Sequence, residues 1–205
     1  MQVVLATANP GKLRELQTLL ANAGIEVLSQ AHFGIAPVAE TGRTFVENAL
    51  IKARHAAAHA ALPAIADDSG LEVDALGGRP GILSARYAGE QADDAANNAR
   101  LLAELRGVPE AERTARYRCV LACVCDAHDS APLICEGVWE GRIAQLPAGE
   151  HGFGYDPLFL VGELAITAAQ LSPELKNSLS HRGQALRQLL DRCRSAPGAV
   201  FSSSR

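Results

Sequence analysis

Two adjacent carboxylates, Asp67 and Asp68, are the residues whose position most strongly suggests chemistry in this sequence. They follow an apolar run over residues 62–66 that is typical of a buried strand, and a Ser-Gly pair comes directly after them. Carboxylates at the end of a buried strand lose hydration, so a divalent metal, a basic cluster or a reacting water must compensate them. Because side chains alternate along a strand, the two carboxylates are predicted to point to opposite sides.

Neighbouring carboxylates offer a second ligand for a hard cation. Glu40 lies in a turn before a predicted helix, and Glu72 and Asp74 lie in an alternating segment after the pair. Mg²⁺ usually takes one or two carboxylates and completes its shell with water and phosphate oxygens. Glu40 is therefore the candidate second ligand beside Asp68. The alternative is that Glu40 and Asp74 are surface charges and that Asp67 caps a turn.

The segment Thr-Ala-Asn-Pro-Gly-Lys at residues 7–12 has the composition of an anion site. It connects a predicted strand to a predicted helix, with Asn9 as the N-cap and Pro10 as the first helical residue. Backbone N–H groups and the helix dipole favour phosphate at such a position, and Lys12 adds a positive charge. The segment is not a Walker A loop. An ordinary capped helix with a solvent-facing lysine is the alternative.

Two later segments could bind an organic ring and its polar edge. In residues 152–157 two glycines flank Phe153, so the backbone can present that ring as a stacking platform. In residues 176–182 Ser180 can cap a helix whose first turn holds His181 and Arg182, which brings several hydrogen-bond donors together. A glycine-rich turn with core aromatics and a solvated helix start are the alternatives.

Other titratable residues are predicted to be structural. Asp-Ala-His-Asp at residues 126–129 has the composition of a metal site, but it falls where a hairpin turn is expected, and aspartate is common in turns. His55 and His59 are four residues apart without the adjacent glutamate of a zinc-protease helix. The five cysteines are an odd number without CxxC spacing, which indicates small hydrophobic residues in a reducing cytoplasm.

The elements that must position these residues are those of an α/β protein. Strand and helix periods alternate at the N-terminus, and a long strand pattern followed by a hairpin turn predicts an antiparallel partner, so a mixed sheet is expected. The predicted strands cover residues 3–7, 25–29, 114–126 and 133–143, with shorter apolar runs at 62–66 and 71–75. The predicted helices cover residues 10–20, 45–61 and 93–106, and a final helix begins after Ser180.

Composition and charge exclude several classes of function. With 205 residues, 48% of them hydrophobic, the chain can bury a sizeable core. The net charge is −4 and there is no long basic run, so a nucleic-acid partner is not expected, whereas a small anionic ligand needs only a few local cations. Neither a signal peptide nor the ~20 apolar residues of a membrane-spanning helix is visible, so we expect a cytoplasmic protein.

Taken together, these segments resemble one family, the non-canonical purine nucleoside triphosphate pyrophosphatases (inosine/xanthosine triphosphate pyrophosphatases). The resemblance runs in order from about residue 1 to residue 192. The matching segments are residues 7–12, 40–42, 45–49, 66–71, 80–81, 84–87, 152–157 and 180–182. One departure is Gln170, which stands where the family usually has glutamate and concerns local packing rather than the reaction.

The resemblance implies a fold and a reaction. The fold would be a mixed, strongly twisted central sheet flanked by helices, with a cleft between two lobes. We expect one domain over residues 1–193, and the mostly small residues that follow predict a disordered tail over residues 194–205. The reaction would be Mg²⁺-dependent hydrolysis of ITP, dITP or XTP to the monophosphate and pyrophosphate, which removes deaminated purines from the nucleotide pool. The protein would be a cytoplasmic homodimer, with neither nucleic acid nor a membrane as partner.

The resemblance also implies roles for individual residues. Asp68 would be the general base, and Glu40 and Asp68, helped by Asp67, would hold Mg²⁺. The substrate contacts would be Thr7, Ala8, Asn9, Pro10, Gly11 and Lys12 at the phosphates, Ser69 and Lys176 elsewhere on the substrate, Phe153 stacked on the base with Gly154 and Tyr155 beside it, and Asp156, His181 and Arg182 at its edge. A nucleotide-binding regulator without turnover and an enzyme that clears modified pyrimidine triphosphates are the alternatives.

Overall fold

The computed structural model describes residues 2–21 and 24–195, which form an alternation of strands and helices. The strands are β1 (Gln2–Ala6), β2 (Glu26–Ser29), β3 (Ala64–Val73), β4 (Thr114–Val124), β5 (Leu133–Ile143) and β6 (Phe159–Val161). The helices are α1 (Pro10–Ala21), α2 (Phe45–Ala60), α3 (Asp94–Glu104), α4 (Pro173–Leu179) and α5 (His181–Ser195). The sequence does not predict β6 and α4, because three and seven residues are too short to show a period.

The strands form one mixed sheet in the order β2-β1-β3-β4-β5-β6. β1 is parallel to β2 and β3, as a strand–helix–strand unit requires, and β6 is antiparallel to β5. The predicted α/β class with a mixed sheet flanked by helices is therefore confirmed. Ala6 at the end of β1 is level with Ala66 of β3. The turn that leaves β1 thus starts beside the Asp67–Asp68 pair.

β3 differs from its prediction. The carboxylates do not end a strand, because β3 continues through them as a single ten-residue strand from Ala64 to Val73. Aspartate and glycine have low β-propensity, but β3 lies between β1 and β4 in the sheet. Sheet pairing on both sides thus overrides the local preference, and only the carboxylate side chains still need compensation.

The described chain divides into two compact units, and the first contains the described residues up to 68, residues 119–136 and α5 from residue 184 onward. Val3 and Leu5 of β1 share a hydrophobic core with Leu16 of α1 and Leu189 of α5. Val4 is also fully buried and alternates to the other face of β1. α2 contacts β1 with a helix face whose buried alanines are Ala49, Ala53, Ala56 and Ala57.

The second unit contains residues 69–118 and 137–183. Its core is aromatic, with Tyr117, Trp139 and Phe159 from β4, β5 and β6, and Leu101 of α3 packs into it. α3 begins after Asp93, whose side chain accepts the N–H of Ala96.

Helix caps follow the sequence closely. Ser180 Oγ accepts the N–H of Gly183 at 3.2 Å, which confirms the predicted cap of α5. Thr44 caps α2 through the N–H of Glu47 at 3.1 Å, but the Glu47 carboxylate reaches back to the N–H of Arg43 rather than to that of Thr44. Residues 194 and 195 of the predicted tail are helical, and the rest of that tail lies outside the described residues. Among the helices of residues 2–21 and 24–195, none has the length and apolar character needed to cross a membrane.

Candidate active site

In the first unit the two predicted carboxylates are buried, and each is paired with a lysine from a different helix. Asp67 is 1% exposed and Asp68 is 6% exposed. Lys12, in the first turn of α1, forms an ion pair with Asp67. Lys52 of α2 donates to Asp68 Oδ1 at 2.7 Å and to Glu40 Oε1 at 2.8 Å. Of the three kinds of compensation expected for these buried carboxylates, the structure therefore supplies a basic cluster.

Strand alternation sends the two carboxylates to opposite faces of β3, as predicted. Asp67 Oδ2 accepts a hydrogen bond from the Cys119 thiol at 3.0 Å, and Cys119 belongs to the core shared by α1 and α5. Asp68 instead meets Lys52 of α2. Both oxygens of Asp67 have partners in the protein, which favours a supporting role over metal ligation.

The second oxygen of Asp68 stands apart. Asp68 Oδ2 is buried and has no hydrogen-bond partner among the described residues. Burial has the largest influence on the pKa of Asp68 and raises it, against the opposing effects of Lys52 and Lys12. Buried polar atoms without a partner are uncommon and destabilising. This oxygen is therefore placed to meet an ion, a water or a ligand.

Glu40 and Asp68 fit a hard divalent cation. Both offer carboxylate oxygens, and they converge on the single ammonium group of Lys52. Burial alone would lower the pKa of Lys52, but Asp68 and Glu40 outweigh it and leave the pKa raised. The described part of the chain holds no group of three or more His, Cys, Asp or Glu residues that could hold a metal. A cation here would take its remaining ligands from water or phosphate.

The sequence interpretation missed Lys52 and the residues that hold Glu40. Lys52 follows Asn48 by one helical turn on the buried face of α2, and a lysine on an apolar helix face is the signal that could have identified it. Asn48 Oδ1 accepts the N–H of Gly42 at 2.8 Å. A Cβ at Gly42 would lie 2.6 Å from that oxygen, so the turn that carries Glu40 needs glycine.

The predicted anion segment forms the expected turn, but the cap already uses part of its backbone. Asn9 Oδ1 accepts the N–H groups of Gly11 at 2.8 Å and Lys12 at 3.1 Å, and Thr7 Oγ1 accepts the N–H of Asn9 at 3.2 Å. The exposed residues of the turn are Ala8, Asn9 and Pro10. The alternative of a solvent-facing lysine is wrong, because Lys12 pairs with Asp67.

In the second unit, Asp156 organises the predicted ring-binding segment. It is 3% exposed, and its Oδ2 accepts hydrogen bonds from Lys176 Nζ at 2.6 Å and from the Phe153 N–H at 2.9 Å. Its Oδ1 accepts the Tyr117 hydroxyl at 3.3 Å, and burial raises the pKa of Tyr117 well above its usual value, so that hydroxyl remains a donor. Gly152 has a φ of +81°, and a Cβ there would collide with the Asp156 carboxylate. These contacts favour a supporting role for Asp156 over direct reading of a base.

Phe153 is half-buried and has two cations over its ring. Lys176 Nζ lies 4.8 Å from the ring centroid and Arg182 Cζ lies 5.6 Å from it. Arg182 is 2% exposed and donates from Nη2 to Ser69 Oγ at 3.0 Å. The second unit thus brings together the two segments that the sequence indicated separately, and it adds Ser69.

His181 and Tyr155 are embedded in the second unit. The His181 ring stacks on Tyr117, with centroids 4.7 Å apart and planes 9° apart. The Tyr155 hydroxyl donates to the carbonyl of Ser84 at 2.8 Å, and its ring belongs to the hydrophobic core. Tyr155 therefore supports the segment through its core contacts.

Two sequence features have a structural explanation. Asp126 Oδ1 accepts the N–H of His128 at 2.8 Å, which confirms the predicted turn. Gln170 forms a capping box with Thr167, where Gln170 Oε1 accepts the Thr167 N–H at 2.8 Å. A glutamine oxygen serves in this motif as a glutamate oxygen does, so the substitution preserves local structure.

These observations define an α/β protein in which two adjacent buried carboxylates within one strand pair with lysines from two helices. The chain belongs to the Ham1 family, whose model matches residues 3–192. It is 58% identical over 188 residues to a dITP/XTP pyrophosphatase of Vibrio parahaemolyticus, covering 92% of this chain and 94% of that protein. It is also 58% identical over 192 residues to a dITP/XTP pyrophosphatase of Thioalkalivibrio sulfidiphilus, covering 94% and 98%. A HAM1 protein from Coxiella burnetii has a similar structure, with a TM-score of 0.89, 49% identity and coverage of 96% and 100%.

Proposed function

We propose that this protein hydrolyses the non-canonical purine nucleoside triphosphates ITP, dITP and XTP to the nucleoside monophosphate and pyrophosphate. The Asp68 carboxylate carries the proposal: Lys52 binds one oxygen, and the other is buried without a partner among the described residues. The names of relatives at 58% identity support the choice of dITP and XTP. The activity removes deaminated purines from the nucleotide pool.

Asp68 Oδ2 accepts the proton of the attacking water. The water oxygen bonds to the α-phosphorus. The bond from that phosphorus to the oxygen that bridges the α- and β-phosphates breaks, and pyrophosphate leaves with the electron pair of that bond. Burial raises the pKa of Asp68, whereas Lys52, Lys12 and a bound metal would favour its ionised, proton-accepting form. Lys52 holds the other carboxylate oxygen and fixes the orientation of the group. When Mg²⁺ is bound by Glu40 and Asp68, it neutralises part of the triphosphate charge and polarises its P–O bonds.

The phosphates are bound by the turn at residues 7–12 together with two lysines. The N-terminus of α1 contributes its dipole, and the Lys12 and Lys52 ammonium groups contribute positive charge. Both lysines are held by carboxylates in the structure. These carboxylates fix the positions of the ammonium groups before substrate binds.

The base is selected by contacts in the second unit. Phe153 supplies a stacking surface, and Arg182 supplies a donor whose position Ser69 fixes. Hypoxanthine and xanthine have a 6-oxo acceptor, whereas adenine has a 6-amino donor that leaves the arginine unsatisfied. Buried hydrogen bonds of this kind can discriminate by ~10⁴.

A nucleotide panel tests the proposal. Purified protein with Mg²⁺ should release pyrophosphate, detected as phosphate only after inorganic pyrophosphatase is added, from dITP, XTP and ITP, and far more slowly from dATP. Direct release of phosphate, or preference for modified pyrimidine triphosphates, would contradict it. Binding of dITP without turnover would favour a regulator instead. Chelation of the metal should abolish turnover.

We also propose that the protein acts as a homodimer in the cytoplasm. The family resemblance supports the dimer, and the five cysteines, none of which forms a disulfide, support a reducing compartment. Light scattering after size exclusion measures the dimer mass directly, and a monomer mass at micromolar concentration would contradict this part of the proposal.

A further inference from the structure

α3 holds the peptide groups of Gly154 on both sides. Asp94 Oδ2 accepts the N–H of Gly154 at 2.6 Å, and Asn98 Nδ2 donates to its carbonyl at 2.9 Å. Asp94 and Asn98 are four residues apart, so both project from the same face of the helix. Gly154 has a φ of +63° and lies in irregular backbone, where α3 satisfies its polar groups.

The preceding residue is fixed by a separate contact. The Phe153 N–H donates to Asp156 Oδ2 at 2.9 Å, and Lys176 holds that same oxygen. The peptide before Phe153 is therefore held by Asp156, and the peptide after it is held by α3. With both peptides held, the ring retains only its own side-chain rotations, and Lys176 and Arg182 lie over it.

Asn98 leaves one polar atom unpaired while it makes this contact. Its Oδ1 is buried and lacks a hydrogen-bond partner within the described ranges. Asn97, the residue before it, pairs both ends of its amide, with the Ala88 N–H at 2.8 Å and the Ala85 carbonyl at 3.2 Å. An unpaired buried acceptor lowers stability, so the stability of α3 alone does not explain asparagine at position 98.

We propose that Asp94 and Asn98 are positioning residues that hold Phe153 as a rigid platform for the base of the substrate. This inference rests on the proposed function. The two side chains act through Gly154 and make no contact with substrate themselves. A platform already held in its binding geometry loses less conformational entropy when the ligand arrives. The contacts of Asp94 and Asn98 with Gly154 should therefore strengthen binding of ligands that contain a base and leave binding of bare phosphates unchanged.

The test compares dIMP, which has a base, with inorganic tripolyphosphate, which has none, by titration calorimetry. Asn98→Ala and Asp94→Ala should weaken dIMP binding about tenfold, the size of an ordinary base-stacking contact, and leave tripolyphosphate binding unchanged. The KM for dITP should rise while kcat stays the same. Asp94→Asn keeps an acceptor oxygen and should restore dIMP affinity although it removes the charge.

Asn97→Ala is the matched control, because it removes two hydrogen bonds from the same helix to a different segment. It should lower the melting temperature at least as much as Asn98→Ala without changing the ratio of the two affinities. If Asn98→Ala lost affinity for dIMP and tripolyphosphate equally, or lost affinity for neither, this inference would be overturned while the proposed function would stand. Wild-type protein that neither binds dIMP nor hydrolyses dITP would overturn the proposed function first.

Amide hydrogen exchange gives a readout that does not depend on turnover. Exchange at residues 152–156 should be faster in Asn98→Ala than in wild type and unchanged in Asn97→Ala. If exchange in this segment were identical in wild type and Asn98→Ala, α3 would not hold it, and the inference would fail whatever the enzyme assays showed.

Discussion

Asp67 and Asp68 are adjacent and chemically unequal. Lys12 and the Cys119 thiol engage both oxygens of Asp67, whereas one oxygen of Asp68 keeps no partner among the described residues. The difference arises from strand alternation, which gives each carboxylate a different helix as neighbour. It favours Asp68 as the reactive member of the proposed site and Asp67 as its support.

Substitution of each carboxylate by its amide separates these roles. Asp68→Asn should lower kcat for dITP about 10²- to 10⁴-fold, the usual contribution of a general base, while dITP binding stays within a few-fold of wild type. Asp67→Asn should mainly lower stability, by about 3 kcal/mol in urea unfolding, because it leaves Lys12 without its buried partner. Near-normal turnover in Asp68→Asn would remove it as the base.

Arg182 is so deeply buried that its replacement by alanine would mix binding with folding, since it is 2% exposed. Ser69→Ala is the milder test, because it removes only the oxygen that holds Arg182 Nη2. We expect the preference for dITP over dATP, measured as a ratio of kcat/KM, to fall about tenfold, the value of one hydrogen bond to a charged group. A loss of melting temperature with an unchanged ratio would make Ser69 purely structural.

At the scale of elements, the start of α2 positions Glu40. Gly42→Ala should place a Cβ against Asn48 and Glu47 and cost about 1–3 kcal/mol of stability. Because the same turn carries Glu40, binding of Mn²⁺ as a spectroscopic substitute for Mg²⁺ should also weaken. Arg43→Ala is the control, since it keeps the backbone hydrogen bond to Glu47. Equal Mn²⁺ affinity in both variants would show that the turn does not position the ligand.

Local signals in the sequence predicted most of these elements. Asn9 and Ser180 each cap a helix as expected, and β5 has its predicted bounds. Caps and periodicity depend on residues within a turn or two of each other, so one sequence contains that information. The continuity of β3 cannot be predicted in this way, because it depends on pairing with strands that are distant in the chain.

The same distinction applies to the site. The sequence predicts Asp68, Glu40, Phe153 and Arg182 as site residues by residue type and by family resemblance. It missed Lys52 as the partner of Asp68 and Glu40. Nor did it indicate that Tyr117 and Lys176 occupy the oxygens of Asp156. Such pairings join residues far apart in the chain, and spacing alone cannot reveal them.

At the scale of the whole molecule, charge determines which phosphate compounds can bind. The chain has 19 Lys and Arg against 23 Asp and Glu, for a net charge of −4. Lys12 and Lys52 in the first unit, and Lys176 in the second, are each already paired with a carboxylate. A triphosphate needs only these local cations, whereas a nucleic acid needs a continuous basic surface that releases many counterions.

We therefore expect selectivity for the free nucleotide over the same base in a polymer. A 20-nucleotide DNA strand containing hypoxanthine, at 150 mM salt, should neither bind measurably in fluorescence anisotropy nor inhibit hydrolysis of dITP. Free dIMP at the same base concentration should act as a competitor and is the control. If the strand inhibited as strongly as dIMP, and its affinity fell steeply with salt, the protein would present a basic surface that its composition does not indicate. That result would indicate that the substrate is a base within nucleic acid rather than a free nucleotide.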